Sequence, residues 1–245
     1  MAFAIMRVEK IKSVSAGSSR LKHNRRETPC KTLQHPERKN FHFIFTEEQK
    51  ADSQKNFKQI FDEHTGNQNI RKNAVHALEF VLTYSPHGID KMQASKWVQD
   101  SVAWVAENFG GQKNIIDCQL HVDETTPHLH VMVIPIDEHG KLNARSFLGG
   151  TRERMSELQS SYAEKMKPFK LERGISKKIT KAKHKDYKKH IAEQADRENR
   201  LKAYERLFGD EKNFDLDTRL SFEKAKIEVS ESLSEPAPFI EKNER

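Results

Sequence analysis

The sequence predicts an α+β fold: a mainly antiparallel five-stranded sheet with helices packed on one face, followed by a charged helical extension. Three observations carry this. Apolar, aromatic and β-branched residues gather in strand-like runs near residues 2–8, 40–45, 75–84, 115–122 and 128–136. Three intervening or following stretches repeat apolar residues at helical spacing instead. The last two strands are so close in sequence that they read as a hairpin, and the mixed order of the remaining elements suits helices layered on an antiparallel sheet.

Each element has a local signature. In the second strand Phe41, Phe43 and Phe45 fall on one face by parity. Thr46 followed by Gln49 is a capping-box pair, and it opens a predicted helix whose buried side uses Phe57, Ile60 and Phe61. Asp90 is the expected cap of a second helix, in which Trp97, Val98, Val102, Val105 and Phe109 recur until Gly110 and Gly111 end it. A third helix is expected from about Thr151 to Lys167, with Met155, Leu158, Tyr162 and Met166 on one stripe and Pro168 closing it. After Gly174 the composition turns to charged helix-formers. The expected division is therefore a domain over 1–174, a basic and charged helical extension over 175–229, and a disordered tail over 230–245.

The chain of 245 residues carries a formal charge of +7, which points to an anionic partner such as nucleic acid. The charge is concentrated. Residues 1–40 hold ten Lys and Arg against three acids, and residues 177–189 hold seven lysines against Asp186 alone. That second run interleaves with His184, Tyr187 and His190, a pattern suited to following a phosphate backbone. Farther on, Leu201, Tyr204, Leu207 and Phe208 suit a short amphipathic surface for dimerisation or for docking on the domain. Two cysteines, Cys30 and Cys118, exclude a disulfide framework, and no run is apolar enough for a membrane span, so a cytoplasmic location is expected.

The densest chemical signal runs from His121 to His130: His-Val-Asp-Glu-Thr-Thr-Pro-His-Leu-His. On strands, His121 opposes Leu120 and Val122, while His128 and His130 oppose Leu129 and Val131. If residues 123–127 join two paired strands, three imidazoles converge on one side while the aliphatic residues enter the core. A single histidine would be read as decoration of an exposed face. Three at matched parity are explained by ligation of a divalent cation with positions left open for water or phosphate. By ligand type they suit manganese, zinc, nickel or cobalt better than magnesium. A second feature, Lys22-His23-Asn24-Arg25-Arg26, is placed in a loop between the serine-rich stretch 13–19 and Pro29, where a histidine among arginines implies anion binding. His42, His76, Glu79 and His87 are read as structural or surface residues.

Three short patterns then coincide: His-x-x-Arg at His23 and Arg26, Pro-x-Arg at Pro36 and Arg38, and His-x-Asp-Glu-x-x-Pro-His-x-His from His121 to His130. Together they resemble the motifs of the Mob/Pre, or MobV-type, relaxases of mobilizable plasmids, over about residues 1–190. The chain departs from that pattern after Arg38, where it reads Lys39-Asn40-Phe41-His42.

The resemblance implies a histidine-hydrophobe-histidine endonuclease of the relaxase type. Such an enzyme cuts one strand at a plasmid transfer origin, stays joined to the 5′ phosphate and later reseals the ends. It implies His121, His128 and His130 as metal ligands, manganese as the metal with magnesium as substitute, Glu124 to orient or deprotonate the nucleophile, and Arg26 on the scissile phosphate or a neighbour. The implied nucleophile is His23. None of the four tyrosines, Tyr84, Tyr162, Tyr187 and Tyr204, lies in the N-terminal segment, and Tyr162 sits on an apolar stripe. Lys22, Arg25, Arg38, Lys181 and Lys185 are the expected DNA contacts. Single-stranded or supercoiled plasmid DNA at the origin is the expected partner, with a second copy of the chain and a conjugation coupling protein as further candidates. Two alternatives remain: a rolling-circle replication initiator of the same superfamily, and a non-catalytic DNA-binding protein with structural zinc.

Overall fold

The computed structural model describes residues 2–30, 33, 35–85, 88–89, 93–124, 126–150 and 152–175. Residues 1–174 form one compact unit. Lys181, Lys185 and nearly all of the expected extension and tail lie outside the described residues.

The elements are β1 (Ala2–Ile11), α1 (Val14–Asn24), β2 (Phe41–His42), α2 (Glu47–Asp52), α3 (Phe57–Thr65), β3 (Ala77–Tyr84), α4 (Ala94–Asn108), β4 (Ile115–His121), β5 (His128–Val133), α5 (Ala144–Leu148), α6 (Arg152–Lys165) and β6 (Leu171–Arg173). The strands form one sheet in the order β2-β4-β5-β3-β1-β6. Every pairing is antiparallel except that of β1 with β6. The α+β class and largely antiparallel sheet match the expectation, and the sixth strand is the addition. It is only three residues long, too short to carry a readable alternation, and its pairing with β1 is long-range.

One face of the sheet is apolar. Leu78, Phe80 and Leu82 of β3, with Leu129, Val131 and Val133 of β5, pack with Trp97, Val98, Val102 and Val105 of α4 and with Leu158, Tyr162 and Met166 of α6. Aromatic rings interlock there: Phe80 and Phe109 have centroids 4.5 Å apart, and Trp104 and Tyr162 5.2 Å. The helical stripes in 97–109 and 155–166 thus reach the core as expected. The second helix begins at Gln93, without a side-chain cap bond, and Asp90 lies outside the described residues.

The opposite face is divided. Its far half is a smaller apolar cluster of Ile116, Met132, Ile134 and Ala77 covered by Leu21 of α1 and by Phe57, Ile60 and Phe61 of α3. Helices therefore lie on both faces rather than one. The helix expected to run from Thr46 through Phe61 is two helices, because Asn56 starts α3 with its own reciprocal capping box to Gln59. Lys22, His23 and Asn24, expected in a loop after the serine-rich stretch, are instead the last residues of α1, which Ser13 caps by accepting a bond from the Ala16 N–H at 3.1 Å. The Phe57 ring leaves no room for a Cβ at Gly17, so glycine there lets α1 lie close on α3. That contact lays the C-terminal end of α1 beside the polar half of the sheet. No helix among the described residues is long and apolar enough to cross a membrane.

Candidate metal centre

The ladder sets the site. β4 and β5 pair His121 with His128 and Gln119 with His130, so all three histidines rise from the same face of adjacent strands. Their ring centroids are 4.5 Å (His121 to His130), 5.0 Å (His128 to His130) and 5.2 Å (His121 to His128) apart. One ligand atom from each lies within 4.8 Å of the others.

Each ring has one nitrogen tied to an acceptor. His121 Nε2 donates to the Asn24 carbonyl at 2.8 Å, His128 Nδ1 to the Thr126 carbonyl at 2.8 Å, and His130 Nδ1 to Glu79 Oε1 at 2.9 Å. Since a carbonyl can only accept, the proton sits on that nitrogen in His121 and His128. The lone pair is thereby left on Nδ1 of His121 and Nε2 of His128; burial raises the Glu79 pKa while Arg20 and Asn24 favour its carboxylate, which as an acceptor imposes the same choice on His130. Nδ1 of His121 is buried and has no hydrogen-bond partner, an arrangement that costs stability unless something accepts its lone pair. Burial, followed by the neighbouring His130, lowers the His121 pKa to about 3, and burial holds His130 well below the ordinary range. Three convergent imidazoles with their outer nitrogens fixed fit a divalent cation.

His23 stands beside this trio, its ring 6.3 Å from His121 and 6.4 Å from His130 by centroid. It belongs to the last turn of α1, and the way that helix ends explains the His-x-x-Arg spacing. Arg26 N–H donates to the His23 carbonyl (3.0 Å) and Glu27 N–H to the Lys22 carbonyl (2.8 Å), with Arg26 at φ 57°. This is a Schellman ending with arginine where glycine is usual. The cost of that backbone is offset by the side chain: Arg26 makes a two-pronged pair with Asp123 (2.9 and 2.7 Å) and a third bond to Glu124 (2.7 Å). Its remaining nitrogen, Nη1, lies 3.5 Å from His23 Nε2. Burial, then Arg26 and Arg20, keep the His23 pKa below its ordinary value of 6.5. Burial alone would raise Asp123 and Glu124, but their bonds to Arg26 hold both carboxyls below the usual range.

Several expected residues fall differently. Glu124 reaches Arg26, which stands between it and His23. The side chain of Arg25 is only 11% exposed and binds Asp117 (3.0 Å), the Lys55 carbonyl (3.0 Å) and the Asp52 carbonyl (3.3 Å), so its donors face into the fold rather than toward a phosphate. Lys22 is exposed next to His23, and Arg38 is about half exposed. An open groove of about 880 Å³ beside the site is lined by Arg26, Arg38, Lys39, Asn40, His42 and Asp123, among others.

Two residues read as structural or passed over belong to this centre. Glu79, 1% exposed, supports His130 and is itself held by Arg20 at 3.0 Å and by Asn24 at 2.9 Å. Asn40 donates to Asp123 (2.7 Å) and accepts from the Val122 N–H (2.9 Å), tying β2 to the segment that grips Arg26. A charged residue inside the buried run Ala77–Tyr84 was the one signal available for Glu79. Tyr162, by contrast, is fully buried on the apolar face, bonded to Ser101 at 3.1 Å, and burial raises its pKa.

Fold and site together define a class: a sheet-borne cluster of three histidines able to hold a metal ion, attended by a further histidine from a helix end. The chain belongs to the Mob/Pre family, described as plasmid recombination enzyme, which matches residues 1–192. It is 30% identical to the 65 kDa protein of Zymomonas mobilis subsp. mobilis over 99% of this chain and 42% of that one. It is also 30% identical to plasmid recombination enzyme type 1 of Staphylococcus aureus over 77% of this chain and 49% of that one. The chain thus spans less than half the length of these curated relatives. Among solved structures, it is similar to the MobM relaxase domain in a manganese-bound crystal structure with pMV158 oriT DNA. That domain is 29% identical with a TM-score of 0.64, covering 78% of this chain and 98% of the domain.

Proposed function

We propose that residues 1–174 are the relaxase domain of a plasmid mobilization protein, which nicks one DNA strand at a transfer origin and holds the 5′ phosphate covalently until the ends are rejoined. The observation that carries this reading is the His23 ring set 6.3 Å from His121 and 6.4 Å from His130, beside a trio of convergent imidazoles. Likeness to a relaxase domain bound to oriT DNA supports the substrate, and the manganese in that structure supports manganese here.

His121, His128 and His130 would hold the cation, which supplies Lewis-acid stabilisation of charge on the scissile phosphate when bound. The His23 Nε2 lone pair attacks phosphorus, forming a P–N bond as the P–O3′ bond breaks. The departing 3′ oxygen takes up a proton, and the positively charged ring loses its Nδ1 proton to water. Reversal reseals the strand without a nucleotide cofactor. Asp123 and Glu124 hold Arg26 against His23, so Glu124 acts on the nucleophile through that guanidinium. Burial, and after it Arg26, lower the His23 pKa and so favour the neutral ring, and Arg26 lies where it can meet a phosphate oxygen. Lys22 and Arg38 are proposed DNA contacts, joined by Lys181 and Lys185 of the extension; Arg25 is assigned to holding α1 in place.

The test is covalent capture. Protein, manganese and an oligonucleotide spanning the origin should yield an acid-labile adduct, lost in His23→Ala and retained in Tyr162→Phe. The reverse pattern transfers the role to tyrosine, and no adduct with any divalent metal leaves a DNA-binding protein.

A further inference from the structure

Asn24, the last residue of α1, directly follows His23 and is 1% exposed. Its backbone carbonyl accepts from His121 Nε2 at 2.8 Å. Its side-chain Nδ2 donates at 2.9 Å to Glu79 Oε1, the same oxygen that accepts from His130 Nδ1 at 2.9 Å. The amide orientation is dictated, since a flipped amide would set Oδ1 against a carboxylate. In this orientation Oδ1 is buried without a partner. Arg20, one turn earlier on α1, pairs with the other Glu79 oxygen at 3.0 Å. Two of the three candidate ligands are thus fixed from the helix that carries the candidate nucleophile, and both connections pass through one residue.

We propose that Asn24 is a positioning residue that couples occupancy of the metal centre to the placement of His23. The proposal rests on the metal-site reading given above. A cation on the inner nitrogen of an imidazole withdraws charge from the ring and makes the outer N–H a stronger donor. In His121 that outer N–H points at the Asn24 carbonyl; in His130 it points at Glu79, which Asn24 also grips. Loading therefore tightens both attachments of the α1 end and orders the turn bearing His23. By linkage, whatever loosens that turn weakens the metal by the same factor.

The experiment uses the DNA-free protein and manganese. Free-manganese electron paramagnetic resonance gives the affinity, and amide hydrogen exchange across 21–27 gives the order of the α1 end, with β1 as an internal control. In the wild type, manganese should slow exchange at Arg25 to Glu27 more than in β1. Asn24→Leu keeps a similar shape and does not lower helix propensity while removing the amide; it should bind manganese about 10-fold more weakly, and the metal-dependent protection should fall with it. A folded Asn24→Leu with wild-type affinity and protection overturns the proposal. Should that variant not fold, the wild-type exchange data decide alone: equal protection of α1 and β1 by manganese also overturns it. His23→Ala should retain both affinity and protection, so a wrong nucleophile assignment leaves the coupling standing. Wild type that fails to bind manganese sinks the metal reading and this one together.

Discussion

The two faces of the sheet use the same strands for opposite ends. On the α4/α6 face, β3 and β5 contribute Leu78, Phe80, Leu82, Leu129, Val131 and Val133, all fully buried against aromatic rings. On the other face the alternate residues of the same strands include Glu79, His128 and His130 in its polar half, beside Ala77 and Met132 in its apolar half. Removing apolar area from water stabilises the first face without directional demands, whereas each polar group on the second must find a partner as it is buried. Polar groups on that face remain uncompensated, notably Nδ1 of His121 and Oδ1 of Asn24. The comparison teaches that one face is given wholly to packing, while the other divides between a smaller apolar cluster and a polar half whose convergent imidazoles could hold a metal ion.

The sharpest way to break this comparison is to change one residue on each face. His128→Ala should lower adduct formation by roughly 10³-fold, about 4 kcal/mol of transition-state stabilisation, while leaving metal-free stability within about 0.5 kcal/mol. Near-normal nicking, or a large loss of folding stability in denaturant titration, would place His128 among structural groups instead. Phe80→Ala, on the opposite face, should cost about 3–5 kcal/mol in the same titration, and the protein still folded should bind manganese normally. A loss below about 1 kcal/mol would mean that the aromatic cluster is not the seat of stability.

A subtler probe addresses His23. Its pKa is held down first by burial and then by the positive charges of Arg26 and Arg20. Attack requires the neutral ring, so the rate falls as pH drops through that lowered value. Arg26→Gln removes a cation and frees Glu124 to favour the imidazolium, so the acid limb of the pH–rate profile should move upward, toward 6.5. An unmoved limb would dissociate Arg26 from His23. Smallest of all, Tyr162→Phe should cost about 1 kcal/mol through the hydroxyl bond to Ser101 and leave the adduct intact.

Parity made much of this legible in advance. The matched positions of His121, His128 and His130 are a property of strand geometry and survive any placement of the hairpin in the fold. The stripes of α4 and α6 were readable for the same reason at a different period. The environment of His23 was not: its segment between the serines and Pro29 reads as a loop, yet it ends a helix capped by Ser13 whose close seat on α3 depends on Gly17 meeting Phe57 across a long sequence gap. Arg25 and Arg26 are neighbours of like charge, and only the αL turn at Arg26 sends one guanidinium to Asp123 and the other to Asp117.

From its own pattern of residues the chain dictates the α+β class, the histidine hairpin and the basic character of residues 1–40, because these follow from local periodicity and composition. Tertiary structure alone brings Asn24, Glu79 and Asn40 to that hairpin, the first two being 55 residues apart. Hydrogen bonds between buried polar groups are short-ranged and directional, so which groups meet is decided only when the backbone has closed around them.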